Sequence, residues 1–248
     1  KTAITISSVP MNFRNMIKHK TTVLDKLNLA LPKHRNKKRY EKFIEDERNG
    51  LLVSSRYDYS LSRSVVDIID LKNFKTIHTY KLDIIKMHDQ VSNKNLYSNI
   101  NIDQSPNRFR YYNPIIFEDG SLISHNYQGP LFKIDICSKL KWINDKKKFH
   151  HMQSKDHEGN IWVGTYMSPQ SKYVKKYSLK KYNEDSITKI NPKGKIKYTK
   201  SVIELLIENN LAPENLAIIS KNLRIDNHVH LNDIEPALNN TNYWMQGD

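Results

Sequence analysis

The chain has 248 residues, enough for one large domain or two small ones with a buried core, which excludes a hormone-sized peptide or a disulfide-stapled miniature. Hydrophobic residues make up 38%, charged 27% and aromatic 10%, so the chain is polar but too aromatic to be disordered throughout. Forty Lys and Arg against 26 Asp and Glu leave a net charge of +14, which keeps nucleic acid, acidic lipid and small anionic substrates in view as partners.

No run of about 18 apolar residues occurs, and the stretch after Lys1 does not resemble a signal peptide. The sequence starts without an initiator Met and stops at Asp248, directly after an apparent strand, so a segment of a longer protein is expected.

Residues 1–49 read as a lead-in. A short β-like start (Ala3 to Ile6) is followed by basic, Asn-rich stretches and by a charged helix over Lys38–Asp46. From residue 50 to residue 248 the pattern becomes short strands separated by turns. Leu51–Ser55, Val65–Leu71 and Thr76–Tyr80 form the first set, with a turn at Lys72-Asn73. Ile115–Phe117, Ser121–Ser124, Pro130–Asp135 and Leu140–Ile143 form a second. Ile161–Gly164, Ser186–Asn191 and Lys195–Tyr198 form a third, and Tyr243-Trp244-Met245 opens a fourth. The recurring unit is a strand ending in Ile-Asp or Ile-Asn, a tight turn, and another strand. Cys137 reads as a buried strand thiol, and Trp142, Trp162 and Trp244 as packing between repeats.

Repeats of four strands with long insertions (82–113 and 200–226) predict an all-β fold, a partial β-propeller with helical insertions. The second insertion carries the helical apolar spacing of Ser201–Asn210. A closed propeller needs at least four blades, and about three and a half copies are visible, a further reason to expect an incomplete chain.

Four of the ten histidines form two close pairs, His150-His151 and His228-Val229-His230. In a propeller the innermost strands line a channel, so inward side chains of different blades converge. Strand alternation puts His228 and His230 on one face and makes His150 and His151 point oppositely, so that one of the latter faces the channel. Hydrogen-bonded loop histidines are the plain alternative. A zinc or iron site using His228 and His230 is another. The basic runs Lys33–Arg39 and Lys146–Lys148 come with no nucleic-acid motif and read as solvated faces, so nucleic acid is not the expected partner.

Phe149-His150-His151, the string Gly159-Asn160-Ile161-Trp162-Val163, and the block Asp226 to Glu235 together resemble the arylsulfotransferase family of β-propeller enzymes. The resemblance covers roughly residues 50–248, and its specific part is the His230-Leu231-Asn232 block. It implies a six-bladed propeller that moves a sulfuryl group from a phenolic sulfate to a phenol without a nucleotide donor or a metal. It implies His230 as the catalytic histidine that polarises the sulfate, with His150, His151, His228 and Asn232 binding substrate. The family's channel arginine and sulfated histidine fall later than His230, so the chain alone is expected to bind sulfate poorly and turn nothing over. The resemblance further implies an aryl sulfate and a phenol as partners, no cofactor, and a periplasmic or otherwise exported setting. It is compatible with a homodimer and with a membrane anchor outside this stretch. The excess of positive charge then suits an electropositive channel. The alternative function is a non-catalytic propeller serving as a sensor or interaction module.

Overall fold

The computed structural model describes residues 40, 49–176, 183–211, 229–242 and 244–246. The chain divides into two units, Lys1–Glu47 and Arg48–Asp248, and the architecture below is that of the second. The lead-in strand, the charged helix (apart from Tyr40) and the basic run Lys33–Arg39 lie outside the described residues.

Among the described residues, ten strands and four short helices follow in order. They are β1 (Leu51–Asp58), β2 (Arg63–Asp70), β3 (Thr76–Tyr80), α1 (Ile84–Asp89), α2 (Ile100–Asp103), β4 (Tyr112–Ile116), β5 (Leu122–His125) and β6 (Gly129–Ile134). Then come β7 (Leu140–Lys155), β8 (Ile161–Tyr166), α3 (Lys172–Lys176), β9 (Asp185–Ile190), β10 (Ile196–Ser201) and α4 (Val202–Glu208). Strands β1 to β3 form one antiparallel meander and β4 to β10 another, every neighbour being the next strand in sequence. The all-β expectation therefore holds, with antiparallel sheets. The described strands form two open sheets and do not close into a ring.

The Ile-Asx repeat has a physical cause. After β2, β6 and β9 the side chains of Asp70, Asp135 and Asn191 accept turn amides from Lys72, Lys139 and Lys195 at 2.8, 2.9 and 2.9 Å. Their own amides donate to the carbonyls of Lys75, Lys139 and Lys195. An Asx side chain at that place substitutes for backbone partners and closes the hairpin. The last of these turns also needs Gly194, at φ +81°, because a Cβ there would lie 2.7 Å from Cδ2 of Trp142.

Strands β5 and β6 are buried on both faces, and alternation assigns each residue its layer. Leu122, Phe132 and Ile134 pack with Val66, Ile68 and Tyr80 of the first sheet and with Ile84 and Met87 of α1. Ile123 and Leu131 turn the other way, onto Phe149, Ile161, Val163 and Ile190. Burial of such a side chain stabilises by about 1.5–3 kcal/mol, so β5 and β6 anchor two apolar clusters, one shared with β2, β3 and α1 and the other with β7 to β9.

Strand β7 joins the last two sets. Its first part, to Phe149, pairs with β6, and its second part, from Phe149, pairs with β8. The strand expected over Leu140–Ile143 is far longer here and runs on through the polar Asn144–Lys148. Tertiary contacts hold the polar stretch extended: Asp145 accepts the amides of Ser92 and Asn93, and the Tyr97 hydroxyl donates to the Lys147 carbonyl.

Two expectations are corrected. Cys137 is exposed, in the hairpin turn after β6 instead of within a strand. Trp244 and Met245 are 62% and 63% exposed and not in a strand, so Trp244 does not pack between the described repeats; Tyr243 lies outside the described residues. The helix expected in the second insertion is present, Val202–Glu208 lying between the Ser201 N-cap and the Asn209 C-cap.

Candidate functional site

Where β7 passes from β6 to β8, its register with β8 shifts between His150 and Gln153, and His151 adopts φ +60°. A left-handed residue inside a bulge cancels strand alternation. His150 and His151 therefore do not point to opposite sides: their rings meet edge to face with centroids 4.9 Å apart. Gln153, buried, holds the bulge from the far side by donating to the carbonyls of Asn113 and Ile123, while the Asn113 side chain donates to the Gln153 carbonyl.

The segment 229–242, without regular secondary structure, lies against this bulge. The Leu231 amide donates to Oδ2 of Asp185 at 2.7 Å, and the Met152 amide donates to the Asn232 carbonyl at 3.1 Å. These contacts put the His230 ring 4.6 Å from that of His151. The structure thus brings His150, His151 and His230 together. Asn232 takes part through its carbonyl, its side chain being exposed, and His228 lies outside the described residues.

Tyrosines and a fourth histidine surround the three. Tyr166 stacks on His150 at 4.4 Å, Tyr127 meets His151 edge-on at 6.0 Å, and Tyr112 stacks on His125 at 5.8 Å. Gly164 opposes His150 across the ladder, and a Cβ on it would stand 3.2 Å from both Cε1 and the carbonyl oxygen of His150. Beneath lies a buried hydroxyl network in which Thr165 bonds Ser186 and Thr188 at 2.7 Å each. Exposure rises outward: His125 and His150 are fully buried, His151 is half-buried, and His230 and Tyr127 are exposed. Asn113, Gln128 and His151 all carry positive φ around this one place, a concentration of backbone strain typical of functional sites.

The His125, His150 and His151 rings are neutral near pH 7. Burial pushes His150 down to about 4, helped by the charges His151 and His230 would carry and partly offset by the Thr165 backbone. Burial likewise takes His125 to about 4 against the pull of the Asn126 and His151 carbonyls. His151 is also lowered, by burial and then by His230, with Asp185 opposing. Oδ1 of the fully buried Asp185 lies 3.4 Å from Nε2 of His150, a contact that becomes an ion pair only if that ring is protonated. The imidazoles of His125, His150 and His151 therefore offer neutral donors and acceptors. Among the described residues no three His, Cys, Asp or Glu side chains are placed to share a metal ion.

Sequence reasoning missed His125, Tyr127, Tyr166 and Asp185. The tetrad Ser124-His125-Asn126-Tyr127 carries no motif, and Asp185 reads as an ordinary strand flank. No family model matches the chain, and no curated protein matches it.

Proposed function

We propose that the histidine cluster is the substrate site of an arylsulfotransferase-like enzyme, built on consecutive blades of a β-propeller. The propeller reading is supported by the equivalent Asx turns after β2, β6 and β9, and by the way β7 ends one four-stranded set and begins the next. The observation that carries the functional reading is the unbroken series of ring contacts His150–His151–His230, graded from buried to exposed.

In sulfuryl transfer the bond from sulfur to the aryl oxygen breaks as a bond from sulfur to an acceptor forms, and the three remaining sulfate oxygens need donors throughout. Imidazole N–H groups of His230 and His151 serve that purpose at the open end of the site. Tyr127 and Tyr166 give the aryl ring of a sulfate ester apolar and edge-on contacts. Catalysis by a sulfated histidine follows the resemblance: the imidazole takes the sulfuryl group as the phenol leaves with a proton, and a second phenol gives up its proton and removes the group.

The test is release of nitrophenol from 4-nitrophenyl sulfate by the protein expressed from its complete reading frame. Release should depend on an added phenol and be lost in His230→Ala. Phenol-independent release, or full transfer by His230→Ala, would overturn the reading.

A further inference from the structure

Both ring nitrogens of His125 face carbonyl oxygens: Nδ1 lies 2.9 Å from the Asn126 oxygen and Nε2 lies 3.0 Å from the His151 oxygen. A neutral imidazole has one N–H to donate. The Asn126 oxygen already accepts the Gly129 amide at 2.8 Å, whereas the His151 carbonyl lies in the bulge, where register with β8 is lost. A carbonyl shielded from water loses more by going without a donor than one that is already served. The proton therefore belongs on Nε2.

The same peptide group is gripped at its other end. Its oxygen is that of His151, and its N–H, that of Met152, donates to the Asn232 carbonyl. One peptide plane thus links β5 to the segment carrying His230. Hydrogen bonds in series through a peptide strengthen one another, since an oxygen that accepts makes its N–H a better donor. The plane also follows a residue at φ +60°, a conformation that a residue with a Cβ keeps only when its surroundings impose it.

We propose that His125 is a positioning residue for the histidine site. By donating from Nε2 to the His151 carbonyl it fixes the His151–Met152 peptide, so that the Met152 amide seats Asn232 and holds His230 against His151. His125 is fully buried and acts through this peptide. The role does not depend on sulfuryl transfer, and it stands or falls separately from the function proposed above.

Two measurements test it. In the unmodified protein, long-range proton–nitrogen spectra of the imidazoles should find His125 protonated at Nε2; a proton on Nδ1 alone overturns the proposal. Hydrogen exchange then compares His125→Phe, which keeps a ring beside Tyr112 without an N–H, with His125→Gln, which keeps a donor. The Met152 amide should exchange at least about tenfold faster in His125→Phe while the Ile143 amide, in the β6–β7 ladder, is unchanged, and His125→Gln should recover protection. Unchanged Met152 exchange in His125→Phe, or no recovery in His125→Gln, overturns it. If His125→Phe does not fold, the proton position in the unmodified protein decides.

Discussion

The ring of His151 meets that of His230 at 4.6 Å and 76°, although one belongs to a long strand and the other to a segment without regular structure far along the chain. Two backbone amides make the contact possible, Leu231 donating to Asp185 and Met152 donating to Asn232. The site is therefore assembled by main-chain hydrogen bonds, and side-chain chemistry is laid over that frame.

The strain at His151 gives the first prediction. At φ +60° a Cβ costs about 1 kcal/mol relative to Gly. Both His151→Gly and His151→Ala remove the imidazole, so their difference isolates the backbone. His151→Gly should be the more stable by about 1 kcal/mol in urea denaturation. An Ala variant as stable as the Gly variant would mean that the left-handed bulge does not form.

Gly164 tests the seat of His150. Its missing Cβ leaves room for an imidazole edge and a backbone oxygen, each 3.2 Å from where that carbon would lie. The oxygen belongs to a paired strand and cannot retreat far, so Gly164→Ala should push the His150 ring out of its stack on Tyr166. A loss of about 1–3 kcal/mol is expected from such overpacking. The His150 ring signals should shift as well; unaltered signals would show that the pocket has slack.

Acid should weaken the fold in two stages. His125 and His150, at about 4 in the folded chain against 6.5 ordinarily, stay neutral where the unfolded chain takes up protons. Their contribution is complete above pH 6.5 and is lost as pH falls toward 4, with a slope approaching about 2.7 kcal/mol per pH unit if both rings act fully. The carboxylates follow lower down. Burial alone would raise Asp58 and Asp156, but hydrogen bonds from Ser60, Arg56 and the Leu61 amide to the first, and from Asn160, Trp162 and Lys189 to the second, bring both to about 2. Their share is lost between the ordinary 3.8 and about 2. Urea midpoints taken from about pH 8 to about pH 5 should fall only below about 6.5. A flat profile would put protonated, solvated histidines at these positions.

Much of this fold was legible because its signals are local. Strand alternation and the Ile-Asx hairpins of Asp70, Asp135 and Asn191 are written within a few residues of where they act. The histidine pair and His230 were legible as candidates for the same reason. The polar middle of β7 was not, since Asp145 is held by Ser92 and Asn93 from another part of the chain. Nor was the bulge at His151, whose left-handed backbone no neighbouring residue announces, nor the recruitment of His125 and Asp185, which hydrogen bonds across elements bring about.

Asp185 carries the last prediction. Its negative charge favours the protonated form of His151 and accepts the Leu231 amide. Asp185→Asn keeps the shape of the side chain and removes the charge. The His151 pKa, already lowered by burial, should drop further, because the group that opposed the shift is gone. The Leu231 amide should exchange faster, since a neutral acceptor holds it less strongly than a carboxylate. A stability loss of about 1–2 kcal/mol is expected for exchanging a charge-assisted hydrogen bond for a neutral one. Titration of the His151 ring proton by NMR reads the electrostatic part, and Leu231 exchange reads the tethering of the His230 segment. A His151 pKa that rises or stays fixed in Asp185→Asn would separate Asp185 from the histidines and reduce it to an anchor for the Leu231 backbone.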